Sequence, residues 1–555
     1  MPAGKLYNVK KTFQRKKMKN ESTRREKHTL FYILNIIFLA LNTALLTAVY
    51  WIRKTFTVSL TAIVYSIFGN TQGNGRGTIE PAVLFCLPFI ALALFFGAGF
   101  IVFNVFLSKK LTSAATFSKI FAIERGVMIF LLVFFFVFNL VYIDTKFGVI
   151  DFFKTRNQKT DFYENYYANP DNVNISLKSD KKRNLVYIYL ESIESTLASA
   201  EEGGGVTGVN YIPNLTKLAN ENISFSDGDK LGGAMQLDGT GWTMAAMFSN
   251  ATGVPWAFPI GGNDFGEVDY EFASGITALG DILESEGYSQ EFLCGSDVRF
   301  AGTDKFFRSH GNYKLFDYYT AIERGYIAED YYVWWGFEDY ILYDIAKDEL
   351  NELASGDKPF NFTMATIDTH PVGGYVCPHC PDTYGTNYYA NVFACADKQI
   401  YDFVQWIQAQ PFYENTTIII TGDHLRMDTV IVGDAPEDKR HPYNCFINTV
   451  YTEKESLNLK NRVFTSLDMF PTTLSALGYE ISGDQLGLGV DLFSSRSTLS
   501  EALSFDTLNE QLAKKSDFYI ETFAPEFLKD NGKKESLVLP DDKRKQYLAS
   551  TATPS

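Results

Sequence analysis

Apolar positions along this chain follow two different rhythms. In the first 145 residues they run on with little interruption: residues 30–52 and 81–108 hold no charged side chain, and residues 126–143 ("GVMIFLLVFFFVFNLVYI") are shorter but denser. Each meets the length of roughly 18 to 20 apolar residues that a helix needs to cross a bilayer. Residues 55–68 are apolar in places but too short to span, and "GNTQGNGRGT" follows them, so they read as an extracytoplasmic or re-entrant segment. After residue 180 the apolar runs become short, branched and bounded by turn residues. "NLVYIYLES" (184–192), "QEFLCGSD" (290–297), "FNFTMATIDTH" (360–370), "TTIIITGDH" (416–424) and "NCFINTVYT" (444–452) read as strands. Helical stretches at 276–287 and 397–408 fall between them, and this alternation predicts an α/β domain with a largely parallel sheet covered on both faces.

The expected organisation is a membrane helix bundle followed by an extracytoplasmic α/β domain. Residues 1–27 are a basic tail, 28–145 a membrane domain with three transmembrane helices, and 146–180 a linker. Residues 181–524 form the catalytic domain, and 525–555, charged and sparse in core residues, read as disordered. Charge sets the orientation. The tail holds ten Lys/Arg and two Glu, a local +8 in a chain of −15, which leaves −23 for the remainder. A basic tail of that length before an uncapped apolar run is not a cleaved signal peptide, and beside a span it is not read as binding nucleic acid. By the positive-inside rule it is cytoplasmic, and residues 109–125, with four basic side chains and one acidic, agree. Arg53 and Lys54 in the outer loop make the asymmetry imperfect. Three crossings place everything after Asp144 outside the cytoplasm, in a multi-pass cell-membrane protein.

Five cysteines then lie outside: Cys294, Cys377, Cys380, Cys395 and Cys445. "CPHC" at 377–380 raises zinc or a redox pair, but a second ligand pair at zinc spacing is missing, so a structural disulfide among Cys377, Cys380 and Cys395 is expected, its pairing open.

Three of the strands end in polar residues: Glu191, His370 and the pair Asp423-His424. In an open parallel sheet such ends share one edge, where ligands bind. One polar end is chance; three converging ends make a site, and an Asp-His pair there suits a metal. "LDGTGWTMAAMFSNATGVPW" (237–256) supplies a group to activate. Gly239 and Gly241 loosen the backbone and Thr243 opens a helix-like run, whose amino end suits a phosphate. A hydroxyl there, beside a divalent cation, can attack phosphorus; the plainer alternative is that Thr243 only caps the helix. Glu194 could be a second ligand but reads better as a solvated or capping glutamate, and His379 and His441 read as surface histidines. His28 lies at the membrane boundary, away from this site.

"YLES", "GTGWTMAAMFSNATGVP", "IDTHPVGGY", "TTIIITGDHLRM" and "GDQLGLGVDLFSSRSTLSEAL" together resemble the phosphoglycerol transferases of the alkaline phosphatase/sulfatase superfamily, with lipoteichoic acid synthases as more distant relatives. The resemblance covers about residues 181–520. It implies one Mn²⁺ held by Glu191, the Thr243 hydroxyl, Asp423 and His424, although such ligands also fit Mg²⁺ or Zn²⁺. It implies that Thr243 is the nucleophile and that His370 contacts the phosphoglycerol group or assists proton transfer. "FAGTDKFFRSHGN" (300–312) matches a substrate-binding segment in which relatives can hold an Arg where this chain has Thr303; Arg299 or Lys305 would replace it, and His310 keeps the family's "HG". Trp335 and Asp339 would shape the pocket, with core packing the alternative for Trp335.

The function so implied is transfer of phosphoglycerol from phosphatidylglycerol in the membrane to an extracytoplasmic glycan or glycerol phosphate polymer, through a covalent threonine. Phosphoethanolamine transfer, or another metal-dependent phosphodiester transfer or hydrolysis, is the alternative. Sulfatase activity is disfavoured, because no C/S-x-P-x-R sequence surrounds Thr243. A catalytically dead lipid-headgroup receptor would show a broken metal set, and none of the four positions is broken.

Overall fold

A computed structural model of the chain describes residues 30–57, 59–68, 79–110, 114–179, 181–258, 272–428, 430–433 and 435–525. The basic tail and the segment expected to be disordered after 525 lie outside these. The chain divides into two units, residues 1–54 with 77–149, and 55–76 with 150–555.

In the first unit three helices are long and apolar enough to cross a membrane, at Leu30–Thr55, Pro81–Phe103 and Phe121–Phe147. They leave large side chains such as Phe95, Val102 and Phe130 outward, which a bilayer would solvate. One contact between helices is polar, among aromatic ones such as Phe38 with Phe136: Asn139 Nδ2 donates to Asn42 Oδ1 at 3.0 Å and to its carbonyl at 3.1 Å. Such side-chain amides pair across apolar helices because the alternative is an unsatisfied group in hydrocarbon.

The second unit is built on a six-stranded sheet. Its strands are β2 (Asn184–Leu190), β3 (Ser289–Cys294), β4 (Lys314–Phe316), β5 (Phe360–Ala365), β6 (Thr416–Gly422) and β7 (Asn444–Ile447), in the order β4-β3-β5-β2-β6-β7. All neighbours are parallel except β6 with β7. A separate pair, β1 (Ile175–Leu177) with β8 (Tyr479–Ile481), is antiparallel. Both faces are covered, and the alternation along β2 shows how. Leu185, Tyr187 and Tyr189 enter one core, while Val186, Ile188 and Leu190 enter the other. Helix Thr243–Thr252 packs in the first core; helices Asp339–Ala354 and Tyr388–Gln408 pack in the second.

Two segments carry more structure than their sequence announced. Residues 146–180 are more than a linker: they contain helices Val149–Arg156 and Phe162–Tyr166 and strand β1, and Phe162 and Tyr163 are buried. Their aromatics have no local period because they fill gaps against Tyr519 and Phe523, far away in sequence. Residues 55–68 fold with the second unit. Thr57 N donates to Met427 O at 2.7 Å, and Thr61 Oγ1 to Asp238 Oδ2 at 2.8 Å, so this segment stands on the same side of the bilayer as that unit.

Candidate metal centre and nucleophile

Strands β5, β2 and β6 are adjacent and parallel, so their carboxyl ends open at one edge. Glu191 follows β2 and Asp423-His424 follow β6, in a register that pairs Leu190 with Gly422. Thr243 is the first residue of its helix, after an extended Trp242 with no side-chain cap. Its hydroxyl goes not to the backbone, as a cap would, but to Glu191 Oε2 at 3.1 Å, with His424 Nε2 at 3.5 Å. The capping alternative is therefore not what this hydroxyl does.

Each candidate ligand side chain is held by a further contact. His424 Nδ1 bonds the Leu425 carbonyl at 2.8 Å, which fixes the proton there and leaves the Nε2 lone pair toward the site. Asp423 Oδ1 accepts from Ser192 N at 2.8 Å and His424 N at 2.7 Å, while Oδ2 is buried with no hydrogen-bond partner among the described residues. Glu191 Oε1 accepts from Ser192 Oγ at 2.6 Å, and its backbone is held by Thr366 and Thr369. Ligand atoms of Glu191, Asp423 and His424 lie within 4.8 Å of one another. Asp423 Oδ2, the His424 Nε2 that lies 3.4 Å from it and a second carboxylate fit a divalent cation.

The electrostatics agree. Burial, then the charge of Glu191, pushes Asp423 up to about 7. Burial pulls His424 down, but Asp423 and Glu191 outweigh it and the imidazole ends above its ordinary value. Two buried carboxylates this close lack enough positive charge from the protein, which a cation would supply.

His370 stands beyond β5 with Nδ1 on the Pro371 carbonyl at 2.6 Å and its ring 4.6 Å from Trp335. Burial lowers it to about 4, so it is neutral near pH 7. Its approach is clamped by Asp339, whose carboxylate accepts from Ile367 N at 2.8 Å and Asp368 N at 3.1 Å. Trp335 also meets Phe300 at 5.4 Å, so it joins the 300-loop to His370. Thr303 touches Met244 Sδ at 3.4 Å, next in the chain to Thr243. Arg299 is held by Asp297 at 2.7 and 2.9 Å and by Tyr319. His310 has both ring nitrogens engaged, on Asp281 and on the Phe272 carbonyl, each at 2.8 Å. Lys305 is buried on helix Thr303–Ser309. The structure thus gathers Glu191, Thr243, Asp423 and His424, sets His370 against Trp335, and gives Arg299 and His310 partners of their own.

Two polar residues stand differently from expectation. Glu194 is neither a ligand nor solvated: it is buried in an ion pair with Arg440 at 2.9 Å. His441 is not on the surface but buried, 3.2 Å from Asp227. Sequence reasoning missed Ser192 and Gln236, whose Oε1 accepts from Leu425 N at 2.7 Å; only the adjacency of Ser192 to Glu191 was a signal. Gly239 is explained by its neighbour, since at φ +80° a Cβ would come 2.6 Å from the Trp256 carbonyl oxygen.

Comparison with known proteins places this geometry. The chain is 32% identical over 353 residues to phosphoglycerol transferase I of Escherichia fergusonii, covering 62% of this chain and 43% of that protein. Against phosphoglycerol transferase I of an Escherichia coli O127:H6 strain it is 33% identical over 327 residues, covering 57% and 40%. The chain therefore spans well under half the length of these curated relatives. Among solved structures, the lipoteichoic acid synthase LtaP from Listeria monocytogenes is 19% identical with a TM-score of 0.44, over 57% of this chain and 79% of that one. The lipooligosaccharide phosphoethanolamine transferase A from Neisseria meningitidis is 14% identical with a TM-score of 0.43, over 81% and 84%. The sulfatase family profile matches residues 183–479, from the first residues of β2 to the start of β8, and so takes in every strand of the central sheet and all three strand ends that form the site. On that match the chain belongs to the sulfatase family, with an alkaline phosphatase/sulfatase-like domain behind three apolar helices.

Proposed function

We propose that this chain is a membrane-bound glycerophosphotransferase in which Thr243 is the nucleophile. One observation carries the reading: a threonine hydroxyl at a helix amino end, 3.1 Å from Glu191 and 3.5 Å from His424. Glu191, Asp423, His424 and Thr243 would hold a divalent cation, with Mn²⁺ the first choice. Such an ion, when bound, makes the hydroxyl easier to ionise and offsets charge on the phosphoryl oxygens. Thr243 Oγ1 forms a bond to the phosphorus of phosphatidylglycerol as the bond to diacylglycerol oxygen breaks, and diacylglycerol leaves with the proton. The free N–H groups of the first helical turn face the negative phosphoryl group. His370, neutral and with Nδ1 committed, keeps Nε2 as a proton acceptor for the incoming hydroxyl of an extracytoplasmic glycan or glycerol phosphate polymer. That hydroxyl forms the new bond to phosphorus as the bond to Thr243 Oγ1 breaks, and the proton taken by His370 passes to the threonine oxygen, which restores the enzyme in a ping-pong cycle. Trp335 walls the glycerol end beside His370. The relatives named phosphoglycerol transferase I support the choice of phosphoglycerol as the group transferred.

The test uses the full-length protein in vesicles containing either phosphatidylglycerol or phosphatidylethanolamine labelled in the headgroup, with and without Mn²⁺. The reading expects the glycerophosphate label to move, only with Mn²⁺, and not in Thr243→Ala. Transfer of the ethanolamine label alone would replace the donor, and transfer unaffected by chelation would overturn the metal assignment.

A further inference from the structure

The loop after His370 carries a second cluster of metal-binding character, remote in chemistry from the first. The sequence led to a disulfide among Cys377, Cys380 and Cys395; the structure instead carries all three as free thiols drawn into one group. Cys377 Sγ lies 3.7 Å from Cys395 Sγ and 3.7 Å from Cys380 Sγ. A tetrahedral zinc with bonds of about 2.3 Å to sulfur sets its sulfurs about 3.8 Å apart. A disulfide would use two of these sulfurs and leave the third buried or half-buried against them without a role.

The surroundings are those of a thiolate site. The Cys377-Pro378-His379-Cys380 turn closes on itself, with Cys380 N donating to the Cys377 carbonyl at 3.1 Å, which aims two sulfurs to one side. Cys395 comes from helix Tyr388–Gln408, and one turn along it Gln399 Nε2 donates to Cys395 Sγ at 3.0 Å, as an amide does to a metal-bound thiolate. Gln399 Oε1 is buried with no hydrogen-bond partner among the described residues, an acceptor suited to a water in the fourth position. The His379 ring packs on Tyr340 at 4.6 Å, so the turn's own histidine is engaged elsewhere.

We propose that Cys377, Cys380 and Cys395 bind a zinc ion that pins the loop following His370 to helix Tyr388–Gln408. Binding displaces three thiol protons to solvent and changes no oxidation state. Three soft thiolates select zinc, whereas the oxygen-rich Glu191 site favours a harder ion.

The full-length protein, purified without reductant or chelator, is tested in two ways. Its metal content should include zinc that is lost in Cys380→Ser, and cobalt substituted for it should show thiolate-to-cobalt absorption, which ligands without sulfur at the Glu191 site cannot produce. Independently of whether the variant folds, the wild-type protein is unfolded in chelator and alkylated without reductant. The proposal expects Cys377, Cys380 and Cys395 all to be alkylated. A pair among them that reacts only after reduction is a disulfide and overturns the proposal, as does the absence of thiolate-to-cobalt absorption.

Discussion

Asp423 concentrates the electrostatic problem of the site in one side chain. Without a cation its folded-state value is about 7, because burial and then Glu191 penalise the ionised form. In an unfolded chain it returns to roughly 4. A raised acid contributes stability that is full below the unfolded value and is lost as pH rises through the folded one. The chelated protein is therefore expected to melt at lower temperature at about pH 8 than at about pH 5, with Mn²⁺ restoring more at the higher pH, where the ligand is ionised. Thermal melts of wild type and Asp423→Asn check this: the variant should lose most of the Mn²⁺ effect, and an equal Mn²⁺ shift at both pH values would contradict it. What could be read at this scale from sequence was whatever lay at the end of a strand, since chain direction alone brings Glu191 and Asp423-His424 to one edge. Glu194 and His441 could not be read that way. The Arg440 that neutralises Glu194 is 246 residues distant, and a glutamate's surroundings are invisible until the chain has folded.

At the scale of elements, β6 does the positioning. Ile418 and Ile420 enter one core and Ile419 the other, all fully buried, so the strand cannot slip without exposing its faces. Ile420→Ala should cost about 2–5 kcal/mol. Urea unfolding measures it, and a loss under about 0.5 kcal/mol, the range of surface changes, would contradict the placement of β6 in the core. The branched runs of β2, β5 and β6 were legible because burial on both faces leaves no room for polar residues. Strand β4, three residues at the sheet edge, carries too short a pattern to announce itself. The aromatic segment at 162–167 was hidden for another reason: Tyr163 packs on Tyr519 and Phe523, which the other end of the domain supplies.

For the whole molecule, the proposed reaction ties membrane attachment to chemistry, because a lipid donor and a diacylglycerol product would both remain in the bilayer. The +8 tail and three apolar helices lead to a testable topology, with the second unit outside the cytoplasm. In intact cells a membrane-impermeant maleimide should label Asp357→Cys, an exposed position in the second unit, above the parent background, and a cysteine placed within residues 1–27 only after lysis. The reverse pattern would separate the catalytic unit from an outer-leaflet donor. The central claim is the covalent threonine, and mass spectrometry of the peptide containing Thr243 tests it most directly. Full-length protein is mixed briefly with phosphatidylglycerol and Mn²⁺, quenched in acid and digested. The peptide should gain the mass of one glycerophosphoryl group, lose it faster when acceptor glycan is added, and show no gain in Thr243→Ala, which should also transfer nothing. Transfer at the wild-type rate by Thr243→Ala would contradict the account.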